Sequence, residues 1–426
     1  MTDPSPDAID PRISTLLAHD RPVPRYTSYP TVPAWSSTPP EDAWDQIFAA
    51  LDGPCQLYVH VPFCRRQCTY CGCNMVVSKR QSAGDSYLDA LQEQLDAMPD
   101  MDVQALHLGG GTPTWLDGLQ LTRLLGMIRD RFGDDISISV EADPESLDTE
   151  RLQILAGIER LSLGVQSLDP VVIAAVNRDQ TLSAVREAVA AARALGIRSL
   201  NIDLMYGLPH QTEERFQATL DEIVALRPER IAVFGYAHVP QMKRHQAQLT
   251  DLPEPSERAA LALQADAVLT AAGYVPVGFD HYALPDDPLA TGPLERGFMG
   301  YAPKALPIIG IGPSAISAVN GLFLQQEAHL GRWLRGSGRR DVLRFYRSTD
   351  DDLLRARIIE ALLCNLSVNV DPEAYADSLF QLETELADVV HIDGGHVSVD
   401  PSLRLLARNA ASAFDRWGGR QGSRAI

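Results

Sequence analysis

With 426 residues, 45% of them hydrophobic and 22% charged, and with 30 glycines and 29 prolines, the chain can bury a large core. It has none of the bias of a disordered, collagen-like or fibrous protein. Lys and Arg number 37 against 56 Asp and Glu, a formal charge of -19, which repels phosphate backbones and anionic lipid headgroups at long range.

Met1 to Asp10 is acidic and Pro-bearing, with neither the basic start nor the apolar stretch of a signal peptide, so a cytoplasmic protein is expected. Pro22, Pro24, Pro30, Pro33, Pro39 and Pro40 then break any helix, leaving an irregular arm before one short amphipathic stretch at Trp44–Leu51. From Leu57 onward, short β-rich runs alternate with segments of helical apolar spacing, the pattern of βα units around a parallel sheet. Strands are expected at Leu57–Val61, Ala105–Leu108, Ser137–Glu141, Arg160–Val165, Ser199–Leu204, Arg230–Gly235 and Tyr274–Phe279, with Leu306–Ile311 as a further candidate. Several are nearly all apolar, as strands covered on both faces must be. Thr181 caps a helix with Val185, Val189 and Leu195 inward and Gly196 just past its end. Ser256–Gly273 repeats that grammar, and Phe216, Leu220 and Ile223 form a stripe halted before Pro228. The fold class is α/β, a partial (β/α)6 TIM-like barrel with its chemistry at the C-terminal strand ends.

The uncharged run Leu306–Leu324 holds Pro307, Pro313, Gly310 and Gly312 and suits a buried strand and turn better than a membrane span. After about Asp350 the pattern turns helical, then Val389–Ile392 and His396–Val399 around Asp393-Gly394-Gly395 predict a hairpin. A final helix is expected over Ser402–Trp417. The division is then an N-terminal arm over 1–50, a barrel domain with an extension over 51–345, and a small helical, winged-helix-like domain over 346–426. Arg404, Arg408, Arg416, Arg420 and Arg424 make the last segment basic, as a solvated tail would be.

Of six cysteines, four crowd into Cys64–Cys73 while Cys55 and Cys364 stand alone, which is not a disulfide framework. Pro62-Phe63-Cys64-Arg65-Arg66-Gln67-Cys68-Thr69-Tyr70-Cys71-Gly72-Cys73 follows directly on the first strand. Three thiolates spaced CxxxCxxC on a tight loop can converge on one metal centre. No second CxxC or HxxxH pair is present to close a zinc site. Three ligands leave one corner of an iron–sulfur cluster open; structural zinc and inert thiols are the alternatives. Only one residue separates Cys73 from Cys71, which makes a fourth ligand there awkward.

Gly109-Gly110-Gly111-Thr112-Pro113-Thr114 follows the next strand and either turns the chain or lets backbone approach a charged ligand. Gly310-Ile311-Gly312-Pro313-Ser314-Ala315 has the form GxGxxA, but Gly321 interrupts the helix that a dinucleotide fold needs. Glu141, Asp143, Gln166, Asp203, Tyr236, His238, Asp280 and His281 recur at successive strand ends, which favours one shared site.

Cys64, Cys68 and Cys71 after a first barrel strand, followed by GGGTP, resemble the radical S-adenosylmethionine superfamily. Within it, several segments resemble the oxygen-independent coproporphyrinogen III oxidase family, from about Arg25 to the C-terminus. They are Arg25-Tyr26-Thr27-Ser28-Tyr29-Pro30-Thr31, Tyr58-Val59-His60-Val61-Pro62-Phe63-Cys64, the extra Cys73, Gly164-Val165-Gln166, Asn177-Arg178 and Asn201-Ile202-Asp203-Leu204-Met205-Tyr206-Gly207-Leu208-Pro209. The resemblance implies a 4Fe–4S cluster on Cys64, Cys68 and Cys71, with the amine and carboxylate of S-adenosylmethionine on the fourth iron and Cys73 unligated. It implies that Tyr58, Gly110, Gly111, Thr112 and Glu141 hold this S-adenosylmethionine, Tyr58 joining the cysteines as catalytic. Gln166, Arg178, Asp203, Ala237 and Ile316 would lie around a second S-adenosylmethionine molecule.

The activity implied is anaerobic oxidative decarboxylation of two propionates of coproporphyrinogen III to vinyl groups, giving protoporphyrinogen IX in haem biosynthesis. A 5′-deoxyadenosyl radical takes hydrogen from the propionate β-carbon, and carbon dioxide and one electron then leave. The implied partners are that substrate and an electron donor such as a flavodoxin or ferredoxin, with a monomeric chain that binds neither nucleic acid nor membrane. Arg25, Arg65, Arg66 and the C-terminal arginines are candidates for the substrate carboxylates. A haem chaperone or carrier without decarboxylation is the alternative. Relative to the family, the stretch from His281 to Gly310 is shorter, Ala302-Pro303-Lys304 replaces a Thr-Thr start, Leu284 replaces a basic residue and Pro313 interrupts GxGxSAIS.

Overall fold

The barrel strands form where apolar side chains must be covered by helices: β1 (Cys55–Val61), β2 (Val103–Gly110), β3 (Ser137–Ala142), β4 (Arg160–Gln166), β5 (Ser199–Tyr206) and β6 (Arg230–Gly235). Each pairs in parallel with the next in chain order, which requires crossover connections. The structure, a computed structural model, describes residues 10–297, 300–336, 341–418 and 422–424.

Five long crossover helices, α1 (Ser82–Asp96), α2 (Gly118–Phe132), α3 (Leu182–Ala194), α4 (Glu213–Leu226) and α5 (Pro255–Ala271), cover the outer face. Thr181 Oγ1 accepts the Ala184 N–H at 3.1 Å at the start of α3, and Gly196 takes φ +78° beyond its end. Phe216, Leu220 and Ile223 of α4 are fully buried, as their spacing predicts. The strands are less uniformly apolar than expected. Leu161, Leu163 and Val165 of β4 and Leu200, Ile202 and Leu204 of β5 are buried toward the helices, while Ser162, Gly164, Asn201 and Asp203 alternate on the opposite, inner face.

Past β6 the parallel strand order ends. Tyr274–Phe279 yields only β7 (Val275–Val277), which reverses into β8 (His281–Ala283), antiparallel to β6. Gly278 makes the reversal at φ +55°, where a Cβ would fall 2.3 Å from the Tyr301 ring. On the far side, β9 (Ile308–Ile311) pairs in parallel with β1. The antiparallel strands β10 (Ile316–Val319), β11 (Leu322–Gln326) and β12 (Val342–Arg347) complete a 12-stranded sheet. Leu306–Leu324 is therefore strand and turn, and no helix among the described residues is long and apolar enough to cross a membrane.

The arm is more ordered than its prolines suggest. Pro11–Ala18 is a helix, because Pro11 occupies the first turn and Asp10 caps it. Pro22–Val23 pairs with Ser423–Arg424, and Trp35 stacks on Phe323 with centroids 5.1 Å apart. At the other terminus, α6 (Asp350–Asn365) and Ala376–Glu385 precede the hairpin Val390–Asp393 and His396–Val399, joined by Ser367–Asn369. The single final helix is corrected to a 3-10 turn, Pro401–Leu406, and a short helix α7 (Ala407–Ser412), because Leu403 leaves helical dihedrals. The solvated tail holds for only part of its arginines: Arg416 and Arg424 are exposed, whereas Arg404 and Arg408 are buried, and Arg420 lies outside the described residues.

Candidate functional site

The cysteine loop is fixed by backbone hydrogen bonds from the turn after β2. Gly111 N–H donates to the Val61 carbonyl at 2.8 Å and Thr112 N–H to the Phe63 carbonyl at 2.8 Å. Phe63 is fully buried and stacks on Trp115 at 4.4 Å. The glycines are needed for this approach: Gly110 has φ +111° with the His60 ring 2.8 Å from where a Cβ would sit, and a Cβ on Gly111 would meet the Phe63 carbonyl oxygen at 2.6 Å. The loop returns by Val76 N–H donating to the Pro62 carbonyl at 2.7 Å.

Cys64, Cys68 and Cys71 are half-buried free thiols, and Cys73 is exposed. Cys64 Sγ lies 3.4 Å from Thr112 Oγ1, Arg178 Nη1 points at Cys68 Sγ from 3.6 Å, and the Cys73 N–H donates to Cys71 Sγ at 3.4 Å. Burial pushes the Cys64 thiol up to about 12, whereas the Cys73 side-chain contact pulls Cys71 down to about 7. All three face one cavity of ≈ 280 Å³ at the C-terminal ends of the strands, shared with Gly110, Gly111, Thr112, Glu141, Gln166, Arg178 and Asp203. Among the described residues no three His, Cys, Asp or Glu side chains converge as ligands of a single metal ion. Three soft thiols set around one cavity are the donor set of an iron–sulfur cluster.

Each acidic residue of the cavity has a built environment. His107 Nε2 lies 3.1 Å from Glu141 Oε1, and its Nδ1 lies 2.7 Å from Ser139 Oγ. Burial would raise the Glu141 carboxyl, but His107 and the Gly110 N–H hold it below its ordinary value. Asn201 Nδ2 donates to Asp203 at 2.7 Å and to Ser162 Oγ at 2.8 Å, while burial and the Glu141 charge push Asp203 up to about 6. Arg178 donates to the Gly164 carbonyl at 2.6 Å and to Tyr70 Oη at 3.1 Å, and its guanidinium stands 3.3 Å from Asp143. Gln166 ends β4 at φ +67°, where the register shifts.

Three of the anticipated residues stand outside this lining. Tyr58 lies behind it, its hydroxyl 2.9 Å from His60 Nδ1 and its ring 6.0 Å from that of His107. Ala237 follows β6, and Ile316 begins β10, where it is buried against β9. Of the arginines, Arg65 and Arg66 line the mouth, with Arg66 paired to Asp179. Arg416 pairs with Asp351 and Asp352, and Arg424 with Asp20. His107, Ser162, Asn201 and Gln180 were not anticipated. The signal for Asn201 is its alternation with Asp203 between buried apolar neighbours on β5.

An arc of six parallel strands with a three-thiol loop after the first and a glycine turn after the second defines the radical SAM class, and the Radical SAM superfamily pattern matches residues 58–223. The oxygen-independent coproporphyrinogen III oxidase of Salmonella typhimurium is 36% identical over 97% of this chain and 97% of that protein. The enzyme of that name from Pseudomonas aeruginosa is 36% identical over 94% of this chain and 95% of its own. The solved coproporphyrinogen III oxidase of Escherichia coli, a radical SAM enzyme, has a TM-score of 0.88 at 36% identity, covering 92% of this chain and 98% of that one. The chain belongs to the oxygen-independent coproporphyrinogen III oxidase family.

Proposed function

We propose that the protein converts two propionate side chains of coproporphyrinogen III to vinyl groups without oxygen, giving protoporphyrinogen IX. The observation that carries this reading is the convergence of three thiols, the glycine turn and Glu141 on one cavity at the strand ends. When bound, the cluster and S-adenosylmethionine supply a 5′-deoxyadenosyl radical that takes a hydrogen atom from the propionate β-carbon. Loss of carbon dioxide and of one further electron, taken up by an external one-electron acceptor, would leave each vinyl group.

The protein's part is to position these groups and exclude water. Cys64, Cys68 and Cys71 hold the cluster, and the Cys73 N–H bonds the Cys71 sulfur as a non-ligating neighbour. Glu141, kept anionic by His107, suits the ammonium of S-adenosylmethionine. Gly110, Gly111 and Thr112 offer the backbone edge beside it, and Tyr58 backs Glu141 through Gly109. A second S-adenosylmethionine is assigned to Gln166, Arg178, Asp203, Ala237 and Ile316; the shared cavity of the first three supports it. Residues 51–345 form the catalytic unit in this reading, of a cytoplasmic monomer reduced by a flavodoxin or ferredoxin.

The test is anaerobic reconstitution with iron and sulfide, followed by reduction with S-adenosylmethionine and coproporphyrinogen III. Protoporphyrinogen IX with methionine and 5′-deoxyadenosine is expected. Haem retention without carbon dioxide release would instead identify a carrier. Replacing Cys64, Cys68 and Cys71 by Ala together should abolish both the brown colour and S-adenosylmethionine cleavage, measured by absorbance and chromatography.

A further inference from the structure

Beyond the thiol cavity, at the ends of β5 and β6, three guanidinium groups from distant parts of the chain gather. Arg25 comes from the arm, Arg296 from the short strand Glu295–Gly297 and Arg408 from α7. Arg25 lies 5.2 Å over the Phe234 ring and donates to the Gly235 carbonyl at 3.4 Å. Arg296 and Arg408 both pack on Phe279, at 5.1 and 5.9 Å, and Arg296 also lies 5.2 Å over Tyr301. Burial and the like charge of Arg25 push Arg408 down to about 10.

No carboxylate among the described residues answers all three. Among the described residues, their side-chain hydrogen bonds reach only backbone carbonyls and the Ser423 hydroxyl. Arg25 Nε, Arg296 Nη1 and Arg408 Nε are buried with no hydrogen-bond partner among the described residues, and Arg408 is 3% exposed. Asp280 and Glu360 are nearby anions: Asp280 is engaged by His281 Nδ1 at 2.7 Å and Tyr301 Oη at 3.1 Å, and Glu360 Oε1 accepts the Arg296 backbone N–H at 2.8 Å. Burial would raise the Asp280 carboxyl, yet His281, Arg296 and Arg25 hold it well below the usual range, so it stays charged, whereas burial raises the Glu360 carboxyl. Buried cations with orphaned donors are costly unless an anion completes them. Arg296 alone of the three borders a cavity of ≈ 180 Å³ beneath Tyr26–Tyr29, which Glu360 also lines. The cluster also lies at the strand ends that bear the thiol cavity, since Gly235 pairs with Tyr206, three residues beyond Asp203 on β5.

We propose that Arg25, Arg296 and Arg408 form a carboxylate site that grips one propionate of the tetrapyrrole and so orients the ring toward the thiol cavity. This rests on the substrate reading above. Arg404, Arg416 and Arg424, engaged with Asp266, Asp351 and Asp20, are excluded from that role.

The test uses the full chain and coproporphyrin III, the oxidised tetracarboxylate, titrated by fluorescence, with bound S-adenosylmethionine counted by equilibrium dialysis on the reconstituted protein. Arg25→Gln and Arg296→Gln should each weaken coproporphyrin III binding about tenfold, as loss of one charge-assisted contact does. Arg296→Lys should restore part of it, and S-adenosylmethionine should remain bound. Arg25 and Arg296 lie on separate segments, so either variant carries the test if the other fails to fold. Unchanged porphyrin affinity in folded variants would overturn the proposal. So would loss of S-adenosylmethionine alone, which would assign the site to a methionyl carboxylate. Porphyrin titration is independent of S-adenosylmethionine cleavage by the unaltered protein, so failure of one reading is distinguishable from failure of the other.

Discussion

Asp203 shows how a single side chain couples the site to stability. Its carboxyl is raised from 3.8 to about 6 by burial and by Glu141, so the folded state holds the proton more tightly than the unfolded chain. The sign follows: this group weakens folding fully above about pH 6, and the penalty disappears as pH falls below 3.8. Asp203→Asn should therefore stabilise the cluster-free protein at pH 8 by on the order of 1–2 kcal/mol, allowing for solvent in the cavity. Thermal unfolding at pH 8, 6 and 4 checks it; the variant's advantage should shrink at each step. The cysteines were legible because their spacing is local. His107, Ser162 and Asn201 were not, since only the closing arc sets Ser162 in the cavity and brings His107 to Glu141 and Asn201 to Ser162 across neighbouring strands. Alternation along β5 carried that information, but a polar residue at an inner position reads equally as a satisfied core side chain.

Among elements, the turn after β2 governs the cysteine loop. Gly111→Ala would drive a Cβ to 2.6 Å from the Phe63 carbonyl, so the loop must lift from its anchor, at a cost of about 1–3 kcal/mol. Iron bound after reconstitution should fall severalfold while far-UV circular dichroism stays native. Gly126, within α2, has nothing within 4 Å of its Cβ position. Gly126→Ala should leave iron content unchanged and gain about 0.5–1 kcal/mol. Equal iron loss in both would place the cause outside the turn. Strands β1–β6 could be read from apolar runs between capped helices. The β7–β8 reversal could not, because what bends the chain at Gly278 is the Tyr301 ring, 23 residues further on. The final helix failed for a similar reason: Arg404 is drawn into contact with Asp266 and the Gly278 carbonyl, outside its own segment.

For the whole molecule, the termini are fastened to each other and to the sheet. Tyr26 Oη donates to Asp415 at 3.1 Å, Arg416 N–H to Tyr29 Oη at 3.1 Å, and Asn409 to the His19 carbonyl at 2.7 Å. Arg404 links the C-terminal turn to α5 through Asp266 at 3.0 Å and packs 4.6 Å over Tyr282. Arg404→Ala leaves Asp266 without its cation and should cost about 3–5 kcal/mol, read as a lower thermal midpoint. A net charge of -19 coexists with an anionic substrate because contacts within a few ångströms outweigh a screened global charge.

The reaction itself is tested most directly by anaerobic turnover of coproporphyrinogen III deuterated at the propionate β-carbons, followed by mass spectrometry of the nucleoside product. Deuterium in 5′-deoxyadenosine, together with carbon dioxide release, is predicted. Unlabelled 5′-deoxyadenosine with all four propionates intact would contradict it.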